Sequence, residues 1–410
     1  MSEIIVLGAG MVGVSTALAL QARGHQVLLV DRGGIGRETS YGNAGMIQTE
    51  AVEPHPFPRD LARLRHIALK STNDVNWHLG ALPTFAGPLL DYWRHSAPEA
   101  HARASGFYSQ LIARADQFHR PLIEASQSGH LIEHEGYRSI FRTRAAFDAA
   151  LRNAERMRNA WNVPFAPETS EQLAAAEPGL RPRLAGAIHH PGVLACRSPG
   201  GLTAAYGRLF MERGGRFSHG DAESLERHGH AWSMQTEDGV QQAESAVIAL
   251  GPWSPRLTRR FGLQVPMLRK RGYHRHYAVA DGPRAAMMDA ERGTFIARMN
   301  QGLRLTTGAE LTWEDGRIDM RQIHRSEAST RELFTLGRPV ESAPWFGERP
   351  FIPDMLPVLG EIRDQPGLWV HFGHGHQGFT AGPASADLFV QAFEGADTPL
   401  IQALGTRRFN

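Results

Sequence analysis

The sequence predicts an α/β protein: a Rossmann-like sheet domain collected from separate stretches of chain, with a second domain threaded between them. Three observations carry this. Residues 3–13 read EIIVLGAGMVG, a short apolar run that ends in a G-x-G-x-x-G turn. Residues 368–378 repeat the strand and glycine-turn pattern near the other end of the chain. Between them, apolar residues recur at helical and at alternating spacing through a chain of 410 residues, long enough for two domains.

The first unit explains itself part by part. Ile4 to Leu7 suits a buried parallel strand. Gly8 permits the tight turn, Gly10 lets backbone approach a pyrophosphate, and Gly13 allows close helix–strand packing. The helix that follows offers N–H groups to phosphates. A second apolar run, Val27 to Val30, ends at Asp31, eighteen residues past Gly13, where a carboxylate can accept from a ribose hydroxyl. Then comes a polar, glycine-rich loop, GGIGRETSYGNAGMI at 33–47. Residues 54–60, PHPFPRD, can be neither helix nor central strand.

The middle of the chain mixes both periods. Residues 61–126 are mostly helical in pattern, with candidate helices at 79–93 and 107–123, and 145–161 is helical again. At 198–215, Ser198 suits an N-cap, Pro199 the first turn and Gly214 the stop, with Leu202, Tyr206, Leu209 and Phe210 as the apolar stripe. Strands are expected at 217–225, 232–236 and 243–250, the last running into Gly251. More follow at 273–279 and 294–298, then a charged helix near 326–337. The chain returns to a strand at 368–372, a glycine turn at 373–378 and a helix at 384–393.

Composition removes several classes. Lys plus Arg is 44 against 42 for Asp plus Glu, a balance that does not mark a nucleic-acid partner. One cysteine, Cys196, allows neither an internal disulfide nor a cysteine zinc site. No stretch of eighteen apolar residues and no cleavable leader is seen, so the expectation is a soluble cytoplasmic protein, with attachment to the inner face of a membrane only peripheral.

The C-terminal segment GLWVHFGHGHQGFTAGP tells one dinucleotide from another. It places a second helix N-terminus far along the chain from the first. A nicotinamide has no evident need of it. A reduced flavin carries negative charge on its pyrimidine edge, which a helix N-terminus stabilises. The GNAGM loop adds small residues where backbone can lie against a flat ring. Two histidine groups, His371 with His374 and His376, and His274 with His276, have the spacing metals use. Neither has an evident carboxylate or thiolate partner, and no metal is expected. Cys196 is read as a small buried hydrophobe rather than a flavin link.

Six segments then fall into a familiar order: VLGAGMVG, ETSYGNAGM, ALGPWSP, KRGYHRHY, ERPFIPDMLPVLG and FGHGHQGFTAGP. Over nearly the whole chain they resemble the FAD-dependent D-amino-acid dehydrogenases, within the larger D-amino-acid oxidase and glycine oxidase group. The resemblance implies an FAD-binding Rossmann-like domain, 1–60, 196–256 and 350–410. It also implies a discontinuous α+β substrate domain on an antiparallel sheet, 61–195 and 257–349. It assigns the FAD pyrophosphate to Gly8, Gly10 and Gly13, the adenosine ribose to Asp31, and the adenine surroundings to Arg32 and Ala222. The family more often has valine at the position of Ala222. Gly251 would close the strand beside the ADP moiety. Ser40, Gly42, Asn43, Ala44, Gly45 and Met46 would line the flavin ring, and Gly373, His374, Gly375, His376, Gln377 and Gly378 its pyrimidine edge. Arg349 would anchor the substrate carboxylate, with Tyr273 and His274 on the strand that walls the pocket.

The implied reaction is oxidation of a D-amino acid. Hydride leaves the α-carbon for flavin, and the imino acid hydrolyses to a 2-oxo acid and ammonia. Electrons would pass to a quinone or another acceptor rather than oxygen. Glycine, an N-methyl amino acid or a cyclic imino acid such as (hydroxy)proline is the alternative substrate. A flavin-holding subunit without turnover of its own is the alternative of another class.

Overall fold

A computed structural model describes residues 2–279 and 282–409. Its first sheet has six strands, in the order Arg216–His219, Gln26–Asp31, Glu3–Leu7, Ser245–Ile248, Leu368–Phe372 and Val358–Glu361. The first five run parallel and the last is antiparallel. Alternation along these strands sorts the core into two layers. Ile4, Val6, Val27, Leu29 and Val247 face the helices Met11–Ala22, Pro199–Glu212 and Gly378–Phe393. Ile5, Leu7, Leu28, Val30 and Ile248 face the other way, onto a three-stranded meander that contributes Trp232 and Met234. Both faces are thus covered, which is why these strands read as continuous apolar runs.

The second sheet has eleven strands and is mostly antiparallel. Its long strand Leu268–Val279 pairs in register with Trp345–Phe351, Lys270 opposite Arg349. A small third sheet joins Met46–Ile47 and Ile132–Glu133 through Leu194–Cys196.

The helix expected near 326–337 lies at Arg321–Leu333 and gives way to the strand Leu336–Pro339; four further segments depart from the sequence expectation, each for a local reason. The expected 107–123 helix is two helices, Pro98–Ile112 and Ala115–Ala125, whose buried residues Leu111, Ile112 and Ala115 join the core of the first sheet. The expected 217–225 strand stops at His219, because Asp221 accepts the Glu223 N–H and turns the chain into a 3-10 helix. The 243–250 strand is divided: Gly239–Ala243 belongs to the meander and Ser245–Ile248 to the parallel sheet. The last helix begins at Gly378, six residues early, and runs through Pro383. Proline has no N–H to give the preceding turn. His119, fully buried, supplies one instead: its Nε2 lies 3.0 Å from the Phe379 carbonyl and 3.1 Å from that of Thr380.

Candidate active site

One continuous cavity of about 1560 Å³ runs between the two sheets. That exceeds the roughly 300–1,000 Å³ of an ordinary small-ligand pocket. At one end its wall is made by the first glycine turn. Gly8 has φ +104°, and a Cβ there would lie 2.5 Å from the Ala249 carbonyl oxygen. A Cβ on Gly13 would lie 1.8 Å from the Gly8 carbonyl oxygen, so Gly13 serves packing and does not reach the wall. Gly10 lines the cavity as the N-cap of the Met11–Ala22 helix, a residue with no side chain to offer as a cap. Ser40 Oγ accepts the Met11 N–H at 2.9 Å and holds the loop to this helix.

Asp31 also lines the wall, but its carboxylate is partly used by backbone. Oδ2 accepts the Ala9 N–H at 2.8 Å, and Oδ1 accepts those of Gly33 at 2.8 Å and Gly34 at 3.2 Å. The acid therefore ties the glycine turn to the following loop. Arg32 lies 4.4 Å over the Trp253 ring and pairs with Glu38 at 3.0 Å. Ala222 and Gly251 line the same end.

Further along, Gly42, Asn43, Ala44 and Met46 face the cavity, whereas Gly45 does not. Gly45 has φ +80°, and a Cβ there would come 2.3 Å from the Cys196 carbonyl oxygen, so packing demands this glycine. Cys196 is buried away from the wall, and burial pushes its thiol up to about 12. Gly373 to Gly378 all line the cavity, and the N-terminus of the Gly378–Phe393 helix carries no side-chain cap. Buried Gln377 Oε1 and His374 Nδ1 in this wall have no hydrogen-bond partner. Two helix N-termini, a glycine cradle and orphaned polar atoms in the second glycine turn fit a dinucleotide that carries a flat polar ring.

Three of the histidines at metal spacing, His371, His374 and His276, have other polar partners. His371 Nδ1 lies 2.8 Å from Thr16 Oγ1, and both His371 and His374 reach Ser385 Oγ. Burial lowers His374 to about 3, which keeps it neutral. Arg304 Nε donates to His276 Nε2 at 3.0 Å, and Glu341 takes the other ring nitrogen of His276. A separate group, His78, Glu310 and Asp319, brings ligand atoms within 4.8 Å of one another outside this cavity.

The other end of the cavity is made of side chains. Arg349 donates to the carbonyls of Gly308 at 3.1 Å and Thr307 at 3.3 Å. Among the described residues no carboxylate pairs with it, and burial alone lowers its guanidinium to about 10. A Cβ on Gly272 would lie 2.5 Å from this guanidinium, so glycine is what lets Arg349 lie across the neighbouring strand. Glu50 lines the wall beyond the glycine-rich loop and accepts from Gln48 Nε2 at 2.8 Å. Its Oε2 has no partner, and burial raises the carboxyl to about 7. Gln48 in turn accepts from Gln377 at 3.0 Å.

Two sequence-assigned residues do not present reactive groups here. Tyr273 borders the cavity, but its hydroxyl turns away from it to Glu310 at 2.5 Å. His274 does not line the wall; its ring stacks on Trp345 at 4.8 Å, and burial lowers it to about 2. Alternation along the strand gives the reason for Tyr273, which shares a face with Arg271 and Glu310, while Lys270 and Gly272 face Arg349. Trp345 covers His274, and its ring fills the space over Gly42 and Gly347. Lys270, Glu50, Gly272 and Trp345 were not singled out by sequence. Lys270 and Gly272 sit inside the KRGYHRHY segment, where strand alternation from Gly272 would have picked out Lys270.

Comparison with known proteins gives the family and the fold. The family described as FAD dependent oxidoreductase matches residues 3–392. A D-amino-acid oxidase of Bradyrhizobium diazoefficiens is 28% identical over 96% of this chain and 95% of its own length. A D-amino acid dehydrogenase of Cereibacter sphaeroides is 30% identical over 99% of this chain and 95% of its own. The crystal structure of a glycine oxidase from Geobacillus kaustophilus superposes with a TM-score of 0.73 at 21% identity, over 97% of this chain and 96% of that one.

Proposed function

The chain belongs to the family of FAD-dependent oxidoreductases, and from that premise we propose that it oxidises the amine of a D-amino acid. The observation that carries the substrate class is Arg349, an arginine in the wall of the cavity with no counter-charge among the described residues. Its planar fork matches a carboxylate through two parallel hydrogen bonds. A carboxylate held there is fixed in orientation, so only one face of the α-carbon meets the ring site between the GNAGM loop and the second glycine turn. Placement of this kind accounts for much of the rate. The names of the two relatives above support an amino acid of D configuration. FAD, when bound, supplies the acceptor for the α-hydrogen and its electron pair.

The same reading places the pyrophosphate at Gly8 and Gly10, the ribose at the remaining lone pair of Asp31, and the adenine between Arg32, Ala222 and Gly251. It makes 1–60, 196–256 and 350–410 the cofactor domain, with the helices Pro98–Ile112 and Ala115–Ala125 packed on it from the intervening chain. Electrons pass on to a quinone or another acceptor rather than oxygen, and any membrane association is peripheral. No helix among the described residues is long and apolar enough to cross a membrane.

Anaerobic mixing with a panel of D- and L-amino acids tests the proposal. Bleaching of the flavin band by D-amino acids alone is expected. Bleaching by L-amino acids alone, or by none of the panel, overturns it. Reoxidation by air against a quinone analogue then separates the acceptors.

A further inference from the structure

Of the 44 lysines and arginines in the chain only two are lysine, Lys70 and Lys270. All the other positively charged side chains of this kind are arginine. Arginine holds its proton in proteins, whereas lysine can give it up. One of the two lysines stands on the wall of the catalytic cavity, directly opposite Arg349 in the antiparallel pair. Side chains so paired leave the same face of the sheet with Cβ atoms about 5 Å apart. Both side chains thus reach the same part of the cavity wall, where the α-amino group of a carboxylate held by Arg349 would lie beside Lys270.

We propose that Lys270 is the base that takes the proton from the substrate ammonium, a catalytic role that rests on the amine-oxidation reading above. The bond that breaks is one N–H of the ammonium, and the bond that forms is N–H on Lys270 Nζ. The lone pair left on the substrate nitrogen then makes the C=N bond as the α-hydrogen leaves with its electron pair to the bound cofactor. The proton passes from Lys270 to solvent once the imine has left.

The surroundings pull both ways. Nζ sits over the rings of Phe351 at 3.3 Å and Tyr92 at 4.3 Å, contacts that favour the ammonium, whereas its burial without a pairing carboxylate among the described residues favours the neutral amine. The titratable groups that face it are Arg349 on the adjacent strand, His376 on the second glycine turn and His55 on the 54–60 segment, with Tyr92 beneath. Burial, and after it Arg349, lowers Lys270 to about 7. His55 and His376 stack on each other at 5.0 Å. Both are lowered by burial first, so neither holds the proton Lys270 would accept.

Two lysines make the test direct. In holoenzyme labelled with [ε-¹³C]lysine, one of two side-chain signals is expected to titrate near pH 7 and to vanish in Lys270→Met. Lys270→Arg keeps the charge but cannot act as the base. Anaerobic flavin reduction by a D-amino acid at pH 7 is expected to slow roughly 10²–10⁴-fold in both variants. Their rates should then climb with pH until the substrate's own ammonium titrates, while the wild-type rate levels off above pH 7. A Lys270 signal that stays protonated to pH 9, in an enzyme that D-amino acids reduce, overturns this proposal alone. A wild-type pH profile in Lys270→Arg does the same. A lysine that titrates near pH 7 in an enzyme that no amine reduces overturns the functional reading, and the base with it.

Discussion

The two ends of the cavity are built from different material. At the end of the first glycine turn the wall needs backbone without side chains at Gly8, Gly10 and Gly251, at the N-terminus of the Met11–Ala22 helix, beside the side chains of Asp31 and Arg32. At the other end it is side chains that arrive from distant parts of the chain, Glu50, Lys270, Trp345, Arg349 and His376. A backbone site constrains which residues are absent, because a side chain would fill it. A side-chain site constrains which residues are present, and several arrangements can meet it. The first should therefore fail abruptly on substitution and the second by degrees.

Gly13→Ala is the most severe test of the first half. The added methyl would stand 1.8 Å from the Gly8 carbonyl oxygen, well inside contact, with the Ala249 side chain at 3.5 Å closing another direction. The turn that shapes the cradle must move, and a loss above about 4 kcal/mol is expected. Purified protein should carry little flavin per mole and melt early. A variant that stays fully yellow with an unchanged Tm would break the comparison.

Arg349→Ala probes the side-chain end, where the expected loss is smaller and confined to substrate. Removal of the clamp should cost about 2–4 kcal/mol of carboxylate binding. That is a rise in KM of roughly thirty- to seven-hundred-fold. Flavin content and Tm should hold near wild type, since the guanidinium bonds only the Gly308 and Thr307 carbonyls. Steady-state kinetics beside the flavin spectrum separate the two effects. An unchanged KM would remove Arg349 from the site.

The same contrast explains what the sequence let one read. Glycines at 8, 10 and 13 keep fixed spacing because one turn makes the whole cradle, and Gly373 to Gly378 do so for the same reason. Arg349 was readable only through the resemblance of its segment, since an arginine before a proline has no spacing of its own. Glu50 and Lys270, 220 residues apart, share a cavity only after the second sheet has closed over the first. His274 shows the reverse error. It lies in the right segment, on the face of Lys270 and Gly272, yet Trp345 from the next strand covers it. The helix at Gly378 begins six residues before its sequence pattern shows, because Pro383 normally ends a helix; what permits it is His119, 260 residues from Phe379 in sequence.

The smallest expected effect lies at Glu50 and depends on pH, which backbone amides at the opposite end cannot do. Burial raises this carboxyl from 4.5 to about 7 in the folded protein. Below about 4.5 it is protonated folded or unfolded and contributes nothing. Between 4.5 and 7 the unfolded chain ionises while the folded one keeps its proton, so the folded state binds more protons and stability falls as pH rises. Above about 7 the full cost remains. Glu50→Gln keeps an acceptor for Gln48 and removes the ionisation. It should therefore be more stable than wild type at pH 8 by about 1–3 kcal/mol and equal to it near pH 4.5. Denaturant unfolding of the two proteins at both pH values measures the gap. A gap of the same size at both values would mean that Glu50 acts through packing, and the side-chain end would then be as insensitive to pH as the backbone end.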